Sequence, residues 1–312
     1  MTTIHDATEL LTITPRPGSD LPEEVLEQLS GLGPEASRAV EEFAASIKDL
    51  TGATDDPSLR QILHRVFVRS VNEFFTATNS SMQLPRELMS TIRPSQHQDA
   101  IDLPEPERDR DIDLDEVLVS RRSHRSFASE PMPLQTLATI LGSALGKVAS
   151  EDGYGVRDLP LFPYPSMGGL SAFEVGVIVQ RVEDVPNGYY VYDQVGHRLV
   201  PKVRGDLRLA LQDVTFESEW LMYAPVVLTV AGRAVKSEWK YHTRGYRIGH
   251  IDMGAAVQTL YLSAWASKVG TCAVAGFFDE AINTLLGYDG VNDYVSLLIG
   301  MGAPATPILA PR

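Results

Sequence analysis

The segment VSRRSHRSF concentrates cationic side chains in a chain that is otherwise acidic. Arginine presents a planar fork of donors that matches phosphate oxygens, and a serine hydroxyl can complete such a site. This segment could therefore bind a phosphate monoester through Arg121, Arg122, Ser123 and Arg125. The alternative is a solvated basic turn that pairs with the neighbouring acidic segment RDRDIDLDE. Along an extended backbone, side chains alternate between two faces, so Arg122 and His124 would lie opposite the other three.

The overall charge narrows the class of partner. The chain has 312 residues, with 27 Lys and Arg against 41 Asp and Glu, a formal net charge of −14. A chain this acidic is not typical of nucleic-acid binding, so we expect no nucleic-acid partner. Of the acidic residues, 23 lie in the first 120 positions, where there are only 10 basic ones. This part could bind basic peptides or partner proteins, or it could be a solvated acidic face.

Hydropathy and cysteine content indicate the cellular compartment of the protein. No run of roughly 18 apolar residues predicts a membrane span, and the start MTTIHDATELLTITPRPGS lacks the basic and apolar parts of a signal peptide. We therefore expect a cytoplasmic protein with no membrane partner. The single cysteine, Cys272, excludes an internal disulfide, and no ligand spacing suggests a metal site. We expect Cys272 to be a small buried residue on a strand.

Residues 1–110 are predicted to form a mostly helical N-terminal region that ends in an acidic, proline-containing connector. Apolar positions recur at helical spacing in PEEVLEQLSGL, SRAVEEFAASIKDL and LRQILHRVFVRSVNEFF. The segment SQHQDAIDLPEPERDRDIDLDE combines prolines with dense charge, which favours an extended connector over a core element. We therefore expect a boundary near residue 110, followed by a second domain over residues 111–312.

The second domain has a mixed pattern that predicts an α+β fold. PLQTLATILGSALG has the apolar stripe of a helix, and FEVGVIVQ, GYYVYD, PVVLTVAG and DYVSLLIGMG have the β-branched and aromatic character of strands. DMGAAVQTLYLSAWASKVG is predicted to be a long helix that begins at Asp252 and ends at Gly270. Because this helix is apolar nearly all round, it must be buried in the core or against a second subunit.

Several of these motifs occur together in a known family. RRSHRSF, PMPLQTLATIL, YPSMGGLSAFEVGVIV, GYYVYD and the segment that starts at WKYHTRGYR follow one another over roughly residues 110–303. In this order they resemble the nitroreductase-fold flavoproteins, and more narrowly their SagB/McbC-type branch of azoline dehydrogenases. The resemblance implies a nitroreductase-like FMN-binding fold with an antiparallel-rich central sheet flanked by helices. It also implies a homodimer and a cyclodehydratase as a further partner.

The resemblance implies a bound FMN cofactor and identifies residues that would contact it. The phosphate and the ring edge would be contacted by Arg121, Arg122, Ser123 and Arg125. The loop beside the flavin would consist of Pro165, Ser166, Met167, Gly168 and Gly169, whose small residues let the backbone approach the ring. The pyrimidine side would be near Gly276 and Phe277. The chain departs from the family after its GAP segment, where the usual basic residue is missing and only Arg312 follows.

The same resemblance implies catalytic roles for Lys240 and Tyr241. Converting an azoline to an azole removes a proton from the α carbon and a hydride from the adjacent ring carbon, so a base must lie opposite the flavin. Lysine is a base only if its pKa, about 10.4 in water, is lowered by burial or nearby cations. Arg244 and Arg247 are close in sequence and could supply that effect. Either residue could take the proton, while the other orients substrate or stabilises the reduced flavin.

Three functions are compatible with the sequence. The first is an FMN-dependent dehydrogenase that oxidises thiazoline or oxazoline rings in a ribosomally made peptide, with dioxygen as the final acceptor. The second is a reductase of the same fold that uses NAD(P)H to reduce a nitro, quinone or dehydroamino-acid compound. The third is a non-catalytic subunit that holds a peptide or a partner enzyme. Lys240 and Tyr241 favour the first function over the other two.

Overall fold

The computed structural model describes residues 83–85, 88, 97–108, 112–216, 218–241 and 244–306. All of them fall within the unit Ala77–Arg312. The three predicted N-terminal helices and Arg312 lie outside the described residues. The boundary near residue 110 and the division into two domains therefore stay predictions.

The described residues contain nine strands: β1 (Ile101–Asp102), β2 (Ala149–Gly153), β3 (Val156–Leu161), β4 (Phe173–Val179), β5 (Gly188–Asp193), β6 (Arg198–Arg204), β7 (Val226–Arg233), β8 (Gly270–Val274) and β9 (Asp293–Gly302). Seven of these form one sheet in the order β1-β6-β5-β4-β7-β9-β8. Every neighbouring pair in it is antiparallel. The predicted antiparallel-rich sheet is confirmed.

The buried centre of the sheet is formed by β4 and β7, which pair Val175 with Val230 and Val177 with Leu228. Both strands are apolar in near-continuous runs, FEVGVIV and VVLTVAGR, instead of alternating with polar residues. A strand that is covered on both faces needs this composition. The four strands predicted from their apolar runs are all present, and Cys272 is buried in β8 as predicted.

The described residues also contain six α-helices: α1 (Leu114–Ser120), α2 (Leu134–Leu145), α3 (Arg208–Val214), α4 (Ala234–Tyr241), α5 (Arg244–Ala266) and α6 (Asp279–Leu286). α2 and α5 contribute to a core cluster that contains Val177 of β4. α3 and α6 contribute to a second cluster that contains the next residue, Ile178. Because successive side chains of a strand point to opposite faces, helices cover both faces of the sheet.

The long helix α5 begins earlier than predicted. It starts at Arg244, so Asp252 is an interior residue, and the predicted end at Gly270 is the first residue of β8. A Cβ built on Gly245 would lie 2.7 Å from the backbone nitrogen of Glu238, so this glycine allows α4 and α5 to approach closely. The predicted start at Asp252 is wrong because its carboxylate makes a tertiary contact instead of capping the helix. None of the helices in the described part of the chain has both the length and the hydropathy that a membrane span requires.

Two segments add to the predicted architecture. Of the predicted connector, Ile101–Asp102 join the sheet edge as β1, where Ile101 pairs with Leu199 and Leu103 is buried, whereas its last three residues lie in α1. β2 and β3 form a separate two-stranded hairpin with a turn at Tyr154 and Gly155, both of which have positive φ. The sequence did not predict this hairpin, because ASEDG and VRDLPL are charged and one of them contains a proline.

Candidate active site

The cationic segment runs from the end of α1 to the edge strand β8. The guanidinium carbon of Arg121 lies 5.4 Å from the ring centroid of Tyr261 in α5. Ser123 forms a β-bridge with Thr271. Burial raises the pKa of the Cys272 thiol, and Arg125 and Ser123 are close enough to oppose that rise. Because Ser123 and Arg125 are exposed, this cluster, which we term the cationic cluster (Arg121, Ser123 and Arg125), can bind an anion from solvent.

Arg122 and His124 have other contacts. The Nη1 group of Arg122 donates hydrogen bonds to the carbonyls of Val119 at 2.9 Å and Arg121 at 2.8 Å. These carbonyls lie at the C-terminal end of α1, where a cation is favourable. His124 stacks on Trp265 with a centroid distance of 6.0 Å. Arg122 therefore binds a helix end and is not a member of the cationic cluster.

The loop of Pro165, Ser166, Met167, Gly168 and Gly169 is anchored to α5 through Asp252. The hydroxyl of Ser166 donates to Asp252 Oδ2 at 2.6 Å, and the amide of Met167 donates to Asp252 Oδ1 at 3.1 Å. Gly168 and Gly169 have φ of +69° and +66°, a backbone conformation that glycine adopts at little cost. The next residue, Leu170, is buried. The loop is therefore fixed at both ends while its glycines remain accessible.

Asp252 is a site residue that the sequence did not identify as one. Its carboxylate is buried, and burial raises the pKa of Asp252 while the hydrogen bonds from Ser166 and Met167 oppose that rise. An aspartate that follows a histidine and an isoleucine before an apolar run has the pattern of a helix N-cap. No local sequence signal distinguishes that role from an anchor for a loop 85 residues away.

Lys240 and Tyr241, at the end of α4, come together at Gly168. A Cβ built on Gly168 would lie 2.5 Å from Tyr241 Oη, 2.7 Å from Lys240 Nζ and 2.9 Å from Tyr154 Oη. Lys240 Nζ donates a 2.5 Å hydrogen bond to Tyr154 Oη, and it lies 5.1 Å from the ring centroid of Tyr241. One ammonium and two phenols therefore meet against the glycine backbone of the loop.

The pKa of Lys240 is not lowered, as a role as a base would require. Burial acts to lower it, but the hydrogen bond to Tyr154 and the electrostatic attraction of Tyr241 and Tyr154 outweigh burial, and the pKa of Lys240 is raised. The lowering that Arg244 and Arg247 could have supplied does not make Lys240 a base. The reason is that the phenol oxygens lie next to the ammonium and favour its charged form. Lys240 is a cation at neutral pH.

Gly276 and Phe277 are placed differently from each other. Gly276 is partly exposed, and its carbonyl accepts a hydrogen bond from the amide of Phe216 at 3.0 Å. The side chain of Phe277 is buried in the core cluster with Leu211 and Ile282. Phe277 therefore packs in the core, and it also lines a surface pocket between α3 and α6.

The spacing of these features along α5 fits a cofactor with a phosphate at one end and a planar ring at the other. Asp252 anchors the glycine loop and Tyr261 lies under Arg121, so the two ends are about 13.5 Å apart at 1.5 Å rise per residue. The five-carbon ribityl chain and tricyclic head of FMN extend over a comparable length. Guanidinium groups suit its phosphate, and the accessible glycine backbone suits a flat ring. The residues present therefore fit FMN.

Comparisons with known proteins identify the family of this chain. A sequence model of the nitroreductase family matches residues 118–303. A protein of Methanocaldococcus jannaschii, provisionally named a nitroreductase, is 31% identical over 202 residues, which are 65% of this chain and 95% of that protein.

Two crystal structures of provisionally assigned nitroreductases share the fold. The one from Ralstonia eutropha has a TM-score of 0.55 and 22% identity, and the match covers 74% of this chain and 100% of that one. The one from Anabaena variabilis has a TM-score of 0.54 and 21% identity, and the match covers 74% of this chain but 45% of that one. At these identities the likeness concerns the fold alone.

Proposed function

We infer the function from the premise that this chain belongs to the nitroreductase family of flavoprotein oxidoreductases. Within that family, we propose that it is an FMN-dependent dehydrogenase that oxidises thiazoline or oxazoline rings to azoles in a ribosomally synthesised peptide. The observation that carries the proposal is the convergence of Lys240 Nζ and Tyr241 Oη on Gly168. The ordered motifs that resemble SagB/McbC-type dehydrogenases support it.

The cofactor would be held at two places. The cationic cluster would bind the phosphate of FMN, and the backbone of residues 166–169 would lie against its ring, with Asp252 keeping that loop on α5. Bound FMN would accept a hydride and pass the electrons on to dioxygen. Since Arg122 binds the end of α1, we assign the phosphate to Arg121, Ser123 and Arg125.

The chain itself would supply the proton acceptor. Oxidation of an azoline breaks two C–H bonds: the α carbon loses a proton, and the adjacent ring carbon loses a hydride to the cofactor. The electron pair left on the α carbon forms the new ring double bond. A proton acceptor must therefore face the substrate close to the flavin ring. Lys240 and Tyr241 have this position if the ring lies against Gly168.

We also propose that the protein is a homodimer. α5 exposes Tyr246 and Ile251, at 52% and 49%, and α1, which packs beside it, exposes Leu118 and Val119 at 48% and 57%. Apolar side chains on adjacent helices are typical of a surface that a second subunit covers. A modified peptide and a cyclodehydratase are the further partners that the family resemblance implies.

A reductase is the second candidate function. The M. jannaschii relative is named for nitro reduction, so a chain of this family could instead take electrons from NAD(P)H. The two functions share the cofactor and differ in the role of Lys240 and Tyr241. A reductase has no need to remove a carbon-bound proton from its electron acceptor, whereas an azoline dehydrogenase does.

The cofactor assignment is tested by flavin content. We expect the wild-type protein, purified or reconstituted with FMN, to be yellow and to release its flavin on denaturation. Arg121→Ala with Arg125→Ala should give a folded, colourless protein, because the phosphate loses its charge-assisted hydrogen bonds. Arg122→Ala is the matched control and should stay yellow. If reconstituted wild type binds no flavin, both enzyme functions are excluded.

The reaction is tested with an azoline-bearing peptide and the FMN-loaded protein, without NAD(P)H. We expect each ring to lose two hydrogen atoms by mass spectrometry while dioxygen is consumed. A reductase would instead bleach its flavin with NAD(P)H, reduce nitro or quinone compounds and leave the azoline unchanged. A non-catalytic subunit would bind the peptide and do neither.

A further inference from the structure

The β2–β3 hairpin brings Tyr154 to the candidate active site. Tyr154 lies at the hairpin turn with φ of +52°. Its carbonyl accepts a hydrogen bond from the amide of Leu84 at 2.9 Å. Its ring packs edge-on against Trp239 of α4, with centroids 5.3 Å apart and an interplanar angle of 86°. The hairpin therefore docks on the helix that carries Lys240, one residue after Trp239.

The phenol of Tyr154 makes two hydrogen bonds that connect the elements of the site. It donates to the carbonyl of Gly168 at 2.7 Å and accepts from Lys240 Nζ at 2.5 Å. The Lys240 ammonium also lies 4.7 Å from the centroid of the Tyr154 ring. The Tyr154 hydroxyl thus donates its proton to a backbone carbonyl, and its oxygen accepts a hydrogen bond from the ammonium.

We propose that Tyr154 is a positioning residue that holds Lys240 as a cation against the glycine loop, so that Tyr241 is the group that accepts the substrate proton. This inference rests on the proposed dehydrogenase function and deepens it. An ammonium has no free electron pair, so Lys240 in this state cannot accept a proton. Tyr154 is a poor proton acceptor, because its phenolate could not donate a hydrogen bond to the Gly168 carbonyl. The phenolate oxygen and the carbonyl oxygen, both negatively polarised, would then repel each other.

Tyr241 is the remaining candidate, and its position suits the role. Of the three polar atoms around Gly168, Tyr241 Oη is the one nearest to a Cβ built on that residue. Tyr241 would accept the substrate proton as a phenolate, after releasing its own proton to solvent, and the adjacent Lys240 ammonium would stabilise that anion. The groups that act on Lys240 are Tyr154 from the hairpin and Tyr241 from its own helix. From α5, Asp252 binds Ser166 and Met167 of the same loop.

The first test measures Lys240 directly in substrate-free protein. Tyr154→Phe keeps the ring that packs on Trp239 but removes the hydroxyl. With lysine labelled at Cε, and the Lys240 resonance assigned through Lys240→Met, NMR should show the protonation midpoint of Lys240 moving to lower pH in Tyr154→Phe. Tyr190→Phe is the matched control, because it also removes a 2.7 Å bond from a tyrosine hydroxyl to a backbone carbonyl, that of Pro186. An unchanged Lys240 midpoint in Tyr154→Phe overturns the proposal.

The second test uses the pH profile of azoline oxidation. If Lys240 must be protonated, Tyr154→Phe should move the alkaline limb of kcat to lower pH and reduce kcat by about 10- to 100-fold, with a smaller effect on KM. If Lys240 were the base, the acidic limb would move to lower pH and activity there would rise, which contradicts the proposal. A wild type that oxidises no azoline overturns the proposed function, whereas the lysine titration still decides whether Tyr154 holds Lys240 as a cation.

Discussion

Lys236, one turn before Lys240 in α4, should make the stability of the protein depend on pH in a predictable way. Its side chain is buried, and its ammonium donates a 3.2 Å hydrogen bond to the carbonyl of Ser171. Burial lowers the pKa of Lys236 from 10.5 to about 7, Arg233 adds to this effect, and Glu174 opposes it. We predict that Lys236→Met, which keeps the length of the side chain without its charge, stabilises the protein at neutral and acidic pH.

The sign and the size follow from proton binding. Between pH 7 and pH 10.5 the unfolded chain holds a proton on Lys236 that the folded chain has released, so stability rises with pH across this window and is lost as pH falls to 7. At about 1.36 kcal/mol per pKa unit, the full difference is about 5 kcal/mol. The variant avoids this cost but leaves the Ser171 carbonyl without its donor, a loss of about 1–3 kcal/mol. The net gain should be about 2–4 kcal/mol below pH 7, and it should disappear in alkali.

Urea unfolding at about pH 6, pH 7.5 and pH 9.5 measures this effect, since the free energy of unfolding can be compared between wild type and variant at each pH. Lys202→Met is the matched control, because Lys202 is exposed on β6 and its removal should not change the pH dependence. Parallel stability curves for wild type and Lys236→Met would refute the reasoning, because they would mean that the buried lysine does not release its proton near pH 7.

Three further predictions concern the glycine loop, its anchor and the subunit interface. Gly168→Ala should lower the free energy of unfolding by about 1–3 kcal/mol and abolish turnover. Gly169 has a similar φ but open space around its Cβ, so the loss of stability that calorimetry measures for Gly169→Ala should come from backbone strain alone. Asp252→Ala should lower the free energy of unfolding by about 2–4 kcal/mol, because two charge-assisted hydrogen bonds are lost, and Asp252→Asn should lose less because it keeps an acceptor oxygen. By light scattering the wild type should be a dimer at micromolar concentration and Ile251→Asp a monomer; a wild-type monomer would exclude the proposed interface.

The central strands could be predicted because their signals are local, whereas their antiparallel arrangement was implied by the family resemblance. β4 and β7 are apolar in unbroken runs that turn residues delimit, and such runs have few alternatives in a chain of this composition. The loop at Gly168 was predicted from the family resemblance, because its two glycines alone indicate only a turn with positive φ. The strand predictions depend on residues that are neighbours in the chain.

The features of the site that the sequence did not reveal depend on contacts between residues that are distant in the chain. Tyr154 is 86 residues from Lys240 and lies in a hairpin of weak strand character, so no periodicity connects the two. Asp252 has the local pattern of a helix N-cap, and only the folded chain shows that it binds Ser166. Arginines nearby in sequence suggested that the pKa of Lys240 could be lowered, whereas tyrosines nearby in space raise it.

The most direct test of the account is whether Lys240 and Tyr241 act on turnover and not on FMN binding. When FMN-loaded wild type is mixed with an azoline-bearing peptide in the absence of oxygen, we predict that the absorbance of oxidised flavin is lost in one turnover and that the peptide loses two hydrogen atoms. Lys240→Ala and Tyr241→Phe should bind FMN as tightly as wild type and bleach it about 10²- to 10⁴-fold more slowly. Bleaching by both variants at the wild-type rate would contradict the account, as would a wild type that leaves azolines unchanged but reduces nitro compounds with NAD(P)H.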